Sequence, residues 1–113
     1  MFEKRRRSVR VALTGSCRCE SALLIQYVHI QDISKDGLFI RTHSPLEIGQ
    51  QIKVRWGFPE KSEEHEAQTI VVWKRESSMN VGEQPGMGLK FVSLDTSTHR
   101  AILDYIKDMS VKT

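Results

Sequence analysis

Apolar and polar side chains alternate along most of this chain, and a period of two is typical of β-strands that bury one face. Strands are predicted over residues 9–14, 22–33, 38–42, 51–56, 69–75 and 88–92. In the fourth of them Ile52, Val54 and Trp56 occupy the inward positions. The fifth differs, because its continuous apolar run from 70 to 73 predicts burial on both faces.

Turn-forming residues separate these strands. Gly15-Ser16 predicts a turn after the first strand, and Asp36-Gly37 predicts one before the third. Loops are predicted over 58–66 and 77–86. The first loop is acidic, with four glutamates around His65: Glu60, Glu63, Glu64 and Glu66. We favour a solvated loop over an acid/base or metal cluster at this position.

The period changes after residue 94. Asp95, Thr96 and Ser97 offer N-cap side chains. An apolar stripe then recurs at three- and four-residue spacing: Ile102, Leu103, Ile106 and Met109. It predicts one amphipathic helix of about 10–13 residues. Six short strands without crossover helices predict an all-β-dominated fold, a small six-stranded antiparallel β-barrel with one C-terminal α-helix.

The composition indicates one folded domain. The chain has 113 residues, of which 39% are hydrophobic and 27% charged, and these values are ordinary for a globular protein. No apolar run approaches the ~20 residues of a membrane-spanning helix, and residues 9–13 are too short for a signal-peptide core. We therefore expect a cytoplasmic protein without membrane insertion.

The formal net charge of +3 is unevenly placed. Residues 1–10 carry five basic side chains and one acidic, whereas the other 103 residues carry 12 basic and 13 acidic. A near-neutral body with a cationic arm argues against a protein that coats duplex nucleic acid with a basic face.

Within the arm, Arg5, Arg6 and Arg10 follow an Arg-Arg-x-x-x-Arg spacing. The planar guanidinium can hold a phosphate, or the O6/N7 edge of guanine, by two parallel hydrogen bonds. A solvated basic terminus is the alternative interpretation of the arm.

A second motif, Asp-x-Ser-x-x-Gly, consists of Asp32, Ser34 and Gly37. Period two places Asp32 and Ser34 on the same side of a strand end, where the carboxylate could accept from guanine N1 and N2. Gly37 gives either a turn with positive φ or a floor without a side chain, against which a ring can lie. The alternative is a plain Asp-Gly β-turn.

Together, the two motifs on one small barrel closed by a helix resemble the PilZ domain, a family of bacterial receptors for the second messenger cyclic di-GMP. The resemblance covers essentially the whole chain, and four further segments look like the family pattern: 38–40, 45–49, 70–73 and 88–92, before the closing helix. It implies a single PilZ-like domain over 1–113, with an arm at 1–10, a barrel at 11–94 and a helix at 95–110.

The resemblance also implies the roles of the motif residues. Arg5, Arg6 and Arg10 would clasp phosphates and guanine edges, Asp32 and Ser34 would hydrogen-bond the guanine or its polar neighbours, and Gly37 would let the ligand sit close. An arginine at position 5 looks like the forms that take a stacked pair of cyclic di-GMP molecules.

The expected function is therefore a cyclic di-GMP receptor or adaptor. The ligand would order the arm over the barrel and alter a surface offered to a downstream protein that the sequence does not identify. Two alternatives are a small barrel that binds single-stranded nucleic acid and an interaction adaptor with a vestigial ligand site. Aromatic platforms beside the arm, which the first alternative needs, are missing from the sequence pattern.

No catalytic, metal or cofactor site is expected. Cys17 and Cys19 form a Cys-x-Cys pair without the second pair that a zinc site normally needs, and we interpret them as reduced thiols. Serine and histidine occur without a recognisable nucleophile–base arrangement, and no Gly-rich phosphate loop with a lysine is present. Trp56 and Trp73 are interpreted as core or rim packing residues; a place near the ligand is an alternative for Trp73 that its spacing does not require.

Overall fold

The structure, a computed structural model, describes residues 8–76 and 84–111. Its elements are β1 (Val11–Glu20), β2 (Ile25–Ile33), β3 (Gly37–Arg41), β4 (Gln51–Gly57), β5 (Glu64–Arg75), β6 (Gly86–Ser93) and the helix α1 (Thr96–Val111). The strands close a barrel in the order β1-β2-β3-β6-β5-β4, and every neighbouring pair is antiparallel. The predicted fold class is confirmed. Most of the predicted loop at 77–86 lies outside the described residues.

The interior of the barrel is filled from alternate positions on the strands, as the pleat of a β-strand requires. Ile52, Val54 and Trp56 on β4 are each at most 1% exposed, so the predicted inward set is confirmed. Leu38 and Ile40 on β3 are fully buried in the same core.

The turn predicted at Gly15-Ser16 is wrong, because β1 continues through it to Glu20. The pairing of β1 with β2 shifts register between Ala12 and Gly15, which identifies Gly15 as part of a β-bulge. Beyond the bulge Cys17 and Cys19 point into the barrel and are buried. A glycine in the sequence is compatible with either a turn or a bulge, and only the strand pairing distinguishes them.

The acidic loop predicted over 58–66 ends earlier than expected, since β5 begins at Glu64. His65 is a core residue that is 4% exposed, and its ring lies against Trp56 and Phe58. Glu64 and Glu66 occupy the outward positions on either side, where Glu66 pairs with Arg55. The flanking acids concealed the alternation, because a buried histidine looks polar in a sequence pattern.

Burial on both faces of β5 is also wrong. Val71 is buried, but Val72 and Trp73 are 46% and 44% exposed. The pairing of β5 with β6 shifts register between Val71 and Trp73, and this bulge places two consecutive apolar side chains outside. Trp73 is consequently on the outer surface of the barrel.

Helix α1 has 16 residues. This is longer than the roughly 10–13 residues expected from its apolar stripe, whereas the range 95–110 that the resemblance implied has the same length and lies one residue earlier. Asp95 caps it, since its Oδ1 accepts a 2.7 Å hydrogen bond from the Thr98 backbone N–H. This bond, with that from Ser97, lowers the pKa of Asp95. Ile102 enters the core, whereas Leu103 is 40% exposed. No helix in the described parts of the chain is long and apolar enough to cross a membrane.

Two side-chain contacts fasten α1 to the barrel. Thr98 Oγ1 lies 3.1 Å from His65 Nδ1, and both residues are buried. The Tyr105 hydroxyl donates a 2.7 Å hydrogen bond to the carbonyl oxygen of Ala12, close to the junction of the arm with β1. The helix therefore reaches the strand that leads directly from the arm.

Replacing Tyr105 with phenylalanine tests this fastening. Tyr105→Phe should lower the free energy of unfolding by about 1 kcal/mol, because the hydrogen bond to Ala12 is lost while the ring is kept. Tyr27→Phe is the matched control, since Tyr27 is 76% exposed, and should change it by less than about 0.5 kcal/mol. Urea unfolding measures both, and equal effects would contradict a specific role for Tyr105.

Candidate ligand-binding site

The Asp-x-Ser-x-x-Gly motif forms the turn from β2 to β3, and Ser34 is its anchor. The Ser34 side chain is fully buried, and its Oγ accepts hydrogen bonds from the backbone N–H groups of Asp36 (3.1 Å) and Gly37 (3.2 Å). The Ser34 N–H donates in turn to the Gly37 carbonyl at 2.9 Å. Serine at this position closes the turn through its own hydroxyl.

Arg10 brings the two sequence motifs together. Its Nε donates a 2.8 Å hydrogen bond to Asp32 Oδ1, and its Nη1 donates to Ser34 Oγ at 3.3 Å. The approach follows from strand pairing, since β1 and β2 are antiparallel and Ala12 is the partner of Asp32. Arg10 and Asp32 stay partly accessible, with 45% and 25% of their side chains exposed.

Ser8 provides a second link between the arm and the turn. Its hydroxyl donates a short hydrogen bond to Asp36 Oδ2. This bond is the main reason why the pKa of Asp36 is lowered, and the positive charges of Lys35 and Lys90 act in the same direction. The chain from residue 8 to residue 10 is thus tied to the turn by two side chains. Arg5 and Arg6, the other predicted clasps, lie outside the described residues.

Gly37 does not have the positive φ that the turn prediction offered as one explanation, since Gly49 is the glycine with positive φ within the described ranges. A Cβ at position 37 would instead lie 1.9 Å from the carbonyl oxygen of Leu89 on β6. Glycine is required here because the backbones of β3 and β6 approach closely. Its role as a floor beneath a ligand stays a prediction.

A cavity of about 210 Å³ opens beside this turn. Its lining includes Arg10, Asp36, Gly37, Trp73 and Lys90. A larger cavity of about 290 Å³, between the end of β1 and the start of β4, contains no member of either motif. The chemistry of the two motifs therefore places the candidate site at the smaller cavity.

Trp73 is held in a fixed position at the rim of the cavity. A Cβ on Gly88 would lie 2.2 Å from the indole Nε1, so the ring lies directly over a glycine of β6. On the outside of the barrel the indole stacks on Phe39, with ring centroids 5.1 Å apart and planes inclined by 15°. The Arg75 guanidinium lies over both rings. Trp73 is therefore packed on two sides while 44% of it stays exposed.

Comparison with known proteins identifies the family. The sequence profile of the PilZ domain matches residues 4–108. The chain belongs to the PilZ domain family. A search of the curated proteins found no match.

Three solved structures share the fold of this chain. The inhibitor of motility MotI/DgrA from Bacillus subtilis superimposes with a TM-score of 0.83 at 16% identity, over 98% of this chain and 54% of that one. The PilZ domain of YcgR from Escherichia coli with c-di-GMP gives 0.73 at 14% identity, over 96% and 94%. The PilZ domain of CeSA from a cellulose-synthesising bacterium gives 0.62 at 13%, over 91% and 99%. The chain thus spans about half the length of MotI/DgrA.

Sequence reasoning did not assign a ligand-site role to two residues that line the cavity of this PilZ domain. Trp73 was interpreted as core or rim packing, with a place near the ligand left open, because its apolar run concealed the bulge that turns it outward. Lys90 belongs to neither the arm motif nor the turn motif, and only the pairing of β3 with β6 brings it opposite Gly37. The available signal for Trp73 was the apolar run at 70–73, which does not show which of its side chains face outward.

The thiols lie away from the cavity, in the interior of this PilZ domain. Cys17 and Cys19 are free and buried, and their sulfur atoms are 3.9 Å apart. The contact with Cys19, together with burial, raises the pKa of Cys17. Among residues 8–76 and 84–111, no three His, Cys, Asp or Glu side chains form a group that could hold a metal ion.

The tie between Ser8 and Asp36 can be measured by titration. Ser8→Ala should raise the pKa of Asp36 towards its ordinary value of 3.8, because the main hydrogen bond to the ionised form is lost. In the unaltered domain the lowered pKa favours the folded state above about pH 4, and this contribution is lost as the pH falls through the folded-state pKa. NMR of the carboxyl carbons measures the pKa of Asp36 in the unaltered domain and in Ser8→Ala.

Asp95 is the internal control of this titration, since the N-terminus of α1 holds its pKa low independently of Ser8. Its pKa should be unchanged in Ser8→Ala. An Asp36 pKa that does not move, beside an unchanged Asp95, would show that Ser8 does not hold the carboxylate in solution.

The close approach at Gly37 is tested by adding one carbon. Gly37→Ala should lower the free energy of unfolding by roughly 1–3 kcal/mol, because the new Cβ overlaps the backbone of β6. Gly15→Ala is the control, as no atom lies within 4 Å of its added Cβ, and it should cost less than about 0.5 kcal/mol. Equal stability of the two variants in urea unfolding would exclude the steric explanation.

Proposed function

We propose that this PilZ domain is a reversible receptor for cyclic di-GMP and acts through binding rather than catalysis. The observation that carries the proposal is the position of Arg10. It is hydrogen-bonded to Asp32 and Ser34, so that one residue of the arm motif and two of the turn motif meet at the edge of a cavity. In the proposal the domain works in the bacterial cytoplasm, where it meets a diffusible messenger.

The paired groups of the site retain capacity for a ligand. A guanidinium has five N–H donors, and Arg10 uses its Nε and Nη1 on the protein, which leaves Nη2 for a phosphate oxygen or a guanine edge. Asp32 meets Arg10 through Oδ1, and its second oxygen can accept from N1 and N2 of guanine. The ion pair therefore orients both side chains without exhausting either.

Trp73 supplies the apolar part of the proposed site. Its indole lines the cavity with Arg10 and Gly37, and Phe39 supports it from the side. Stacking of a base on an aromatic side chain contributes about 1–3 kcal/mol. A guanine placed between the turn and Trp73 would meet a polar edge and an aromatic wall in one cavity.

Arg5 and Arg6 complete the proposal as phosphate clasps, although the structure does not describe them. Arg6 precedes Ser8 by two residues, a distance that the chain spans in at most about 7 Å, and Ser8 is bonded to the turn beside the cavity. In this proposal Arg5 favours a stacked pair of ligands. Fixing these residues changes the surface beside the turn, and that change is the signal to a partner protein.

The relatives are consistent with this proposal without carrying it. The YcgR domain was solved with c-di-GMP, and MotI/DgrA is described as an inhibitor of motility. At 14% and 16% identity these likenesses show the shared fold. The ligand assignment therefore depends on the residues around Arg10 in this chain.

Titration calorimetry with cyclic di-GMP tests the site. Arg10→Ala and Asp32→Ala should each weaken binding at least tenfold, because each removes a charge-assisted hydrogen bond of about 1.5–3 kcal/mol or the group that orients it. Arg55→Ala is the matched control. Arg55 also pairs with an acid across two strands, Glu66 on β5, but lies away from the cavity, and its loss should leave the affinity unchanged.

Two outcomes would contradict the proposal. Absence of a binding heat at about 100 µM ligand, where a micromolar affinity would saturate the site, would reject cyclic di-GMP if circular dichroism shows folded protein. Binding that survives both Arg10→Ala and Asp32→Ala within a factor of two would reject the assigned site while retaining the ligand.

A further inference from the structure

Lys90 is a cation on β6 that lines the candidate cavity. Its neighbour Leu89 is 2% exposed and points into the barrel, so Lys90, at the next position of β6, is directed outward and is exposed. In the pairing of β3 with β6 it is the direct partner of Gly37. It lines the cavity together with Arg10 and Trp73.

Among the residues that the structure describes, no carboxylate forms an ion pair with Lys90 within 4.0 Å. Several cations in the described chain have a carboxylate within 4.0 Å: Arg10, Arg18, Lys35, Lys53, Arg55 and Lys74. Lys90 makes no such ion pair and no side-chain hydrogen bond with the described residues. Its positive charge is one of the smaller contributions that lower the pKa of Asp36. The cavity is thus lined by a cation that makes no ion pair with the described residues.

Arg10 and Lys90 border the turn at its two ends. Arg10 is bonded to Ser34, where the turn begins, and Lys90 is paired with Gly37, where β3 begins. Asp32 already offsets part of the positive charge of Arg10. An anion in this cavity would therefore gain more electrostatic attraction from Lys90 than from Arg10. An ammonium group offers three donors that can adapt to any orientation of a phosphate.

We propose that Lys90 is an anion-binding residue of this cavity and holds a phosphodiester group of the ligand together with Arg10. This inference rests on the proposed function, and it adds a phosphate contact from β6 that belongs to neither sequence motif. In this proposal the positive charge of Lys90 attracts the ligand and does not stabilise the fold, because the side chain is exposed and makes no ion pair with described residues.

The test is titration of cyclic di-GMP into four variants of the full chain. Lys90→Ala and Lys90→Gln should each raise the dissociation constant about tenfold, because both remove the charge and the second keeps most of the stem. Lys90→Arg should stay within about threefold of the unaltered protein, since the charge is retained. Lys107→Ala is the control; it removes an exposed lysine of α1 and should have no effect.

Salt separates a charge contact from a packing contact. The ratio of affinities between the unaltered protein and Lys90→Gln should shrink as salt rises from about 0.05 M to 0.5 M, because the screening length falls to a few ångströms. A ratio that is independent of salt would overturn the assignment of a phosphate contact.

Failure of this inference can be told from failure of the proposed function. Affinity of Lys90→Ala within twofold of the unaltered protein, while Arg10→Ala weakens binding tenfold, would overturn the role of Lys90 and leave the receptor function intact. An equal loss in Lys107→Ala would also overturn it, since net charge alone would then explain the effect. No binding by the folded, unaltered protein would overturn both.

Discussion

The seam between β3 and β6 is the constraint on which the rest of the structure depends. These strands pair although they are far apart in sequence, and at two positions the facing backbone leaves no room for a Cβ atom. An added carbon on Gly37 would lie 1.9 Å from the Leu89 carbonyl oxygen, and one on Gly86 would lie 2.3 Å from that of Ile40. The pairing of these strands also brings Lys90 opposite Gly37, and the missing side chain of Gly88 on β6 leaves the space that the Trp73 indole fills.

The polar contacts of the arm lie at the β2–β3 turn beside this seam and follow from the pairing of β1 with β2. The Arg10–Asp32 pair is partly exposed, and such pairs contribute little to stability by themselves. Its value lies in position, because Arg10 is held at the cavity before any ligand arrives. Ordering a residue costs about 1–2 kcal/mol, so a side chain that is already oriented keeps more of its interaction energy for the ligand. Ser8 extends the same effect along the arm through Asp36.

The fold was predictable where alternation is regular and became uncertain at bulges. Ile52, Val54 and Trp56 alternate without interruption, and all three fill the core. At Gly15 the first strand was ended too early, and at Trp73 an outward side chain was taken as buried, because each position adjoins a register shift. A bulge adds one residue to one strand alone, and that mismatch is a property of the pair that a single sequence does not display.

The candidate site also contains residues that the sequence indicates and residues that only strand pairing brings there. Arg10, Asp32 and Ser34 could be assigned from the sequence, because residue chemistry and short-range spacing are local properties, and the β2–β3 turn fixes Ser34 next to Asp36 and Gly37. Trp73 and Lys90 could not be assigned, since they reach the cavity from β5 and β6 only when the barrel closes. The sequence by itself thus determined the strands and the two motifs. Tertiary structure alone decided which distant side chains share the cavity, because pairing between remote strands sets those distances.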